Sequence, residues 1–185
     1  MRLFIALNLP ARERQAVYRA AAPLRDAGWP VRWVEPESLH VTLKFLGWVR
    51  PEDVDGLTRA MAEAVSRTRP FEIVIGGLGA FPSQRRPRVI WIGAEATPAM
   101  RSLKHDLEWG LASLGFERED RAFRPHITLG RASRDARAGD FRGIDALFAR
   151  VDHSAVVPVR EVDLMRSHLS PTGARYERIA SAALG

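Results

Sequence analysis

At 185 residues the chain can bury a full hydrophobic core without staples, as one compact domain or two small lobes. It contains no cysteine, which excludes disulfide frameworks, thiolate metal sites and cysteine nucleophiles together. Its formal charge of +6 comes almost wholly from arginine, whose planar fork of donors suits phosphate, although a genome rich in G and C produces the same bias.

The chain opens with an apolar run over residues 3–9, too short to span a membrane, that reads as a buried strand closed by Pro10. With no targeting segment visible, the cytoplasm is the expected location. Residues 11–27 follow as a helix with Val17, Ala20, Leu24 and Ala27 on one face, kinked or ended early at Pro23. Residues 31–34 form a short extended piece, and 39–46 a strand that ends near Gly47. A helix from Pro51 to about Arg67 then carries Val54, Leu57, Met61 and Val65 on one side. Residues 71–75 alternate as a strand, and Gly76, Gly77 and Gly79 mark a bend or bulge. A basic loop over 82–88 leads to a strand at 89–93. Thr97-Pro98 opens the clearest helix, whose stripe of Met100, Leu103, Leu107, Leu111 and Leu114 stops at Gly115. Residues 123–130 read as a strand, 141–148 as a short helix, and 156–168 and 176–182 as two last strands about a Pro171-Thr172-Gly173 turn.

Two of these strands carry the same word: His40-Val41-Thr42-Leu43 returns as His126-Ile127-Thr128-Leu129. Side chains alternate along a strand, so each copy sets a histidine and a threonine on one face and two apolar residues on the other. A single H-x-T carries little weight, because a lone strand histidine is more often structural than catalytic. The offset 126 − 40 = 86, however, also lays residues 3–7 on 89–93, the first helix on the third, the 54–65 helix on the 141–148 segment and 71–75 on 157–161. Strand, helix, motif strand, helix, strand is thus used twice. The expected fold is α+β and bilobal: a single domain of two similar, interleaved lobes related by a pseudo-two-fold axis, with antiparallel sheets lining a central groove and helices outside.

Two facing histidines have a use near neutral pH, since one can be neutral and act as base while the other is protonated and acts as acid. Hydroxyls of Thr42 and Thr128 can donate to anionic oxygens held between them, and a tetrahedral phosphate fits that geometry. Lys44 continues the parity of His40 and Thr42 and would add positive charge. A zinc site is a poorer reading: each motif offers one nitrogen ligand, with no acidic residue at ligand spacing beside it. His105, His153 and His168 read as incidental. Phe4 and Trp33 are candidates to stack a base, though aromatic residues beside strands are usually core.

The opening Arg2-Leu3-Phe4-Ile5-Ala6-Leu7, the motif stretch from His40 to Gly47, the segment from Phe81 to Trp91 and the stretch from Pro125 to Arg131 together resemble the 2H phosphoesterase superfamily. Within it the likeness is to the bacterial RNA 2′,3′-cyclic phosphodiesterases, historically called 2′-5′ RNA ligases. The resemblance implies hydrolysis of a 2′,3′-cyclic phosphate to a 2′-phosphate without metal or nucleotide cofactor. It makes His40 the proton donor to the departing O3′ and His126 the proton acceptor that activates water, with Thr42 and Thr128 holding the phosphate. Arg131 matches a basic position after the second motif, yet simple alternation sets it opposite His126, so a twist or bulge is needed to bring it round. The expected partner is RNA with a 2′,3′-cyclic phosphate end or a related cyclic nucleotide, and reverse 2′-5′ joining is open to the same chemistry. No membrane partner is expected, and a monomer suffices because one chain supplies both motifs. The alternative class is a non-catalytic module that binds an RNA end or phosphate without turning it over.

Overall fold

The computed structural model describes residues 1–170 and 173–185. In chain order the elements are β1 (Arg2–Asn8), α1 (Ala11–Ala20), α2 (Ala22–Arg25), β2 (Val31–Trp33), β3 (His40–Trp48), α3 (Val54–Ser66), β4 (Phe71–Ser83), β5 (Arg86–Ala94), α4 (Pro98–Ala112), β6 (His126–Ala132), α5 (Ile144–Arg150), β7 (Ser154–Val159), β8 (Glu161–Ser170) and β9 (Gly173–Ala183). The first helical stretch breaks at Ala21, and Pro23 falls in the first turn of α2, where its missing N–H costs nothing. In α4, the Thr97 hydroxyl accepts from the Met100 amide at 3.2 Å, and Met100, Leu103, Leu107 and Leu111 are all fully buried. Leu114, expected to extend that stripe, lies beyond the helix end and is exposed. The basic loop is shorter than expected, since β4 and β5 pair out to Ser83↔Arg86 and leave a tight hairpin. Gly77, at φ +75°, supplies the bend inside β4.

Every strand pairing is antiparallel, in the order β7-β4-β5-β6-β3-β1-β8-β9 with β2 added on β6. The expected single strand over 156–168 is two strands: β7 pairs with β4, while β8, after a break at Arg160, pairs with β1 and β9. The two cannot be one strand because their partners lie at opposite ends of the sheet. Of the expected final turn, Pro171 and Thr172 lie outside the described residues. The short helix expected at 141–148 starts later, at Ile144, because Gly143 takes a left-handed φ of +77°.

The motif strands sit side by side in the middle of the sheet and pair at one position, Val41↔Ile127. That pair is 127 − 41 = 86 residues apart, and at the other junction Glu72↔Pro158 is separated by 158 − 72 = 86. Flanking strands follow a slightly different offset. Phe45 faces Phe4 on β1 and Arg131 faces Val89 on β5, so 4–8 match 89–93 at an offset of 85, not 86.

One face of the sheet carries Leu3, Ile5, Leu7, Val41, Leu43, Ile90, Ile92, Ile127 and Leu129, which pack with Val17, Leu57, Met61 and the α4 stripe into a single core. Burying that many large side chains, at about 1.5–3 kcal/mol each, fixes which face of each strand is hidden. The other face carries a smaller apolar cluster of Phe4, Ala6 and Met165, with Tyr176 against it. Both motifs open onto that second face.

Candidate active site

The two histidines are anchored in the same way. His40 Nδ1 lies 2.7 Å from the Ser38 carbonyl and His126 Nδ1 lies 2.8 Å from the Arg124 carbonyl. A carbonyl only accepts, so each Nδ1 carries a proton and donates it, which leaves each Nε2 as the atom that exchanges a proton. Their surroundings differ. The His40 ring is packed by Phe4 at 4.9 Å and by the edge of Tyr176 at 5.0 Å. Burial there, aided by the charges of Arg131 and His126 and opposed by the Ser38 hydrogen bond, brings its pKa down to about 4. His126 meets Phe81 at 5.0 Å and Trp91 at 6.0 Å.

Just past each threonine the pairing skips a residue. Ala6 faces Thr42 and Ile5 faces Lys44, so Leu43 is unpaired; Trp91 faces Thr128 and Ile90 faces Gly130, so Leu129 is unpaired. A bulge reverses the alternation beyond it. Leu43 with Lys44, and Leu129 with Gly130, are therefore buried in succession, while Phe45 and Arg131 come out on the histidine face. Arg131 thus reaches the face its expected role requires, and its charge is felt at the His40 ring. Lys44 is the correction. Its parity with His40 and Thr42 is broken by the bulge, and it points into the core instead of toward the groove.

The model of the 2′-5′ RNA ligase superfamily matches residues 13–171. The chain belongs to that superfamily. It is 34% identical over 183 residues to the RNA 2′,3′-cyclic phosphodiesterase of Methanothermobacter thermautotrophicus, covering 95% of each chain. TT0787 of Thermus thermophilus superposes with a TM-score of 0.82 at 29% identity, covering 99% of this chain and 97% of that one. E. coli LigT complexed with 3′-AMP superposes with a TM-score of 0.75 at 28% identity, covering 99% and 97%.

In this superfamily member the sequence contains two lysines, Lys44 and Lys104, and both converge on Glu108. Lys44, 3% exposed, donates to the Glu108 carboxylate and, at 2.7 Å, to the Glu117 carbonyl. Lys104 donates to the other Glu108 oxygen and to Glu119 at 2.9 Å, and the Glu119 amide donates to Glu108 at 3.2 Å. Burial pushes the Glu108 carboxyl up, and the hydrogen bonds from Lys104 and Lys44 more than reverse it, leaving it below the usual carboxylate range. A compact ammonium with three rotatable donors suits this cage better than a planar guanidinium. The cage ties β3 to α4 and to the segment that leads into His126.

Sequence reasoning passed over several residues on the groove face. Asp163, 1% exposed, accepts from Asn8 Nδ2 at 2.6 Å, and Asn8 is the cross-strand neighbour of His40. Asp163 pairs with Ala6, which pairs with Thr42. In the other half the corresponding row is Thr128, Trp91 and Gly79, where a Cβ on Gly79 would come within 2.2 Å of the Trp91 ring. Their signal was available only through register: Asn8 and Trp91 sit on strands paired with a motif strand, and Asp163 and Gly79 one strand further out. Phe4 is core-like, as its setting suggested, but it packs against His40. Trp33 packs over Gly130 and is half-buried.

Proposed function

We propose that this chain hydrolyses RNA ends bearing a 2′,3′-cyclic phosphate to 2′-phosphates, by acid–base catalysis between His40 and His126 held in two lobes related by a pseudo-two-fold axis. The observation that carries the reading is the pair of equivalently anchored histidines, each with its Nδ1 proton given to the carbonyl two residues back, on adjoining strands. Its relatives' names supply the substrate class. In the reaction His126 Nε2 takes a proton from water as the oxygen attacks phosphorus. The P–O3′ bond breaks, and His40 Nε2–H gives its proton to O3′. Thr42 and Thr128 hold the anionic oxygens, and Arg131 binds substrate beside them.

His40 must be protonated at the start, and the free groove holds its pKa near 4. The phosphodiester anion supplies the missing counter-charge, so the acid is armed by its own substrate. One chain brings both histidines, so a monomer acting in the cytoplasm suffices.

A substrate series with increasingly acidic leaving alcohols tests the assignment. The loss caused by His40→Ala shrinks along the series, because an acidic alcohol departs unaided, while the loss caused by His126→Ala persists. Rescue confined to the His126 variant reverses the roles, and tight binding without product favours the phosphate-binding alternative.

A further inference from the structure

The groove holds a second, unassigned cationic feature. On β2, Arg32 lies directly across from Arg131 on β6. Residues paired across antiparallel strands point to the same side, and the row continues from Arg131 to Val89 and on to Phe81, whose ring touches His126. Arg32 and Arg131 are therefore neighbours on the face of the catalytic histidines. Both are exposed, and among the described residues neither has a carboxylate within ion-pair distance. The Arg32 side chain runs toward the start of β9, where a Cβ on Gly173 would come 3.9 Å from its Cδ. It thus extends from the strand beside Arg131 to the hairpin of the opposite half.

Like charges set directly opposite one another on a sheet destabilise it. Two guanidinium groups on paired residues, with no acid in ion-pair distance of either, match the oxygens of a phosphodiester, which satisfies both. On that reading the reactive phosphate occupies the space between the histidines and threonines, and the arginine row lies two residue pairs beyond Thr128, past the bulge.

We propose that Arg32, together with Arg131, forms a second phosphate site that takes the phosphodiester on the 5′ side of the terminal nucleotide, so that the groove selects oligonucleotide ends over mononucleotides. This rests on the reading of the groove as a cyclic phosphodiesterase site. The pair is a binding device: Arg32 touches no reacting atom.

The test compares two substrates, a short oligoribonucleotide ending in a 2′,3′-cyclic phosphate and a nucleoside 2′,3′-cyclic monophosphate, with wild type, Arg32→Gln and Arg32→Lys. With Arg32→Gln, kcat/KM for the oligomer falls roughly tenfold, as for loss of one charge-assisted contact, and the loss on the monomer is several-fold smaller. The effect lies in KM, Arg32→Lys recovers part of it, and the salt dependence of oligomer binding becomes shallower by about one counterion. Thermal stability of Arg32→Gln does not fall, because a like-charge contact has been removed. Equal losses on both substrates, or an unaltered salt slope, overturn the second site. If wild type turns over neither substrate, the phosphodiesterase reading itself fails, a result distinct from either.

Discussion

β3 and β6 spell nearly the same word, skip a residue at the same place and anchor each histidine on the carbonyl two residues before it, yet the side chains around them diverge. On β3 the bulge buries Lys44 and presents Phe45, 67% exposed. On β6 it buries Gly130 and presents Arg131. His40 is enclosed by Phe4 and Tyr176 and its pKa is driven down, whereas His126 stands beside Phe81 and Trp91. The shared strand geometry therefore sets where the two histidines are, and on the proposed mechanism the unshared neighbours set what each does. Two identical histidines would compete for one role; acid–base catalysis needs them to differ.

The comparison is broken most severely by removing either ring. His40→Ala and His126→Ala should each lower turnover of a cyclic phosphate end by about 10²–10⁴-fold while circular dichroism and melting stay close to wild type, since both side chains lie on the groove face. A folded His40→Ala protein with near-normal turnover would show that only one motif is chemical.

Next comes the buried cation that β3 has and β6 lacks. Lys44→Met leaves Glu108 paired with Lys104 alone and the Glu117 carbonyl without its donor. Breaking a buried pair costs about 3–5 kcal/mol, read as a lower urea midpoint. Because the cage is built around a compact ammonium that donates to both Glu108 and the Glu117 carbonyl, Lys44→Arg should recover little of it. If Lys44→Met melts like wild type, the cage is ornamental and the tie between β3 and the segment before His126 lies elsewhere.

Lys44 and Arg131 also show where a sequence stops being readable. The paired motifs, the antiparallel α+β build and the histidine face follow from a period of two and a repeat, both local properties of the residues. A bulge is different, because it depends on register with a neighbouring strand, and nothing in Leu43 or Leu129 announces that it will go unpaired. Alternation consequently put Lys44 in the groove and Arg131 outside it, and one skipped residue in each strand exchanged both. The division into β7 and β8 escaped for the same reason: Arg160 marks a change of partner, not a change of composition. Tyr176, Asp163 and Asn8 reach the site only through pairings across β1, β8 and β9.

The unequal burial of the histidines gives a signature in stability. His40 titrates near 4 in the folded chain against an ordinary value of 6.5, so between those pH values the unfolded chain binds more protons. Stability contributed by neutral His40 is complete above pH 6.5 and is lost as pH falls toward 4, about 3 kcal/mol in all. Denaturant titrations of His40→Gln should show that portion of the acid slope removed, and His126→Gln should retain most of it. Saturating phosphate should raise the His40 pKa, seen directly in its ring proton resonances. An unmoved resonance would mean that the anion does not arm this acid.

The smallest effect concerns what the two strands share. Thr42→Val and Thr128→Val keep shape and remove one hydroxyl donor each, so each should cost roughly fivefold to tenfold in kcat, the size of one hydrogen bond to an anion. If phosphorus sits on the axis between the motifs, the two losses are equal, and the double variant shows the product of the singles because each hydroxyl serves a different oxygen. A phosphate shifted toward one lobe would make one threonine dispensable and the other costly. Equal, multiplying losses together with unequal histidine effects would separate the symmetric part of this site, which holds the phosphate, from the asymmetric part, which moves the protons.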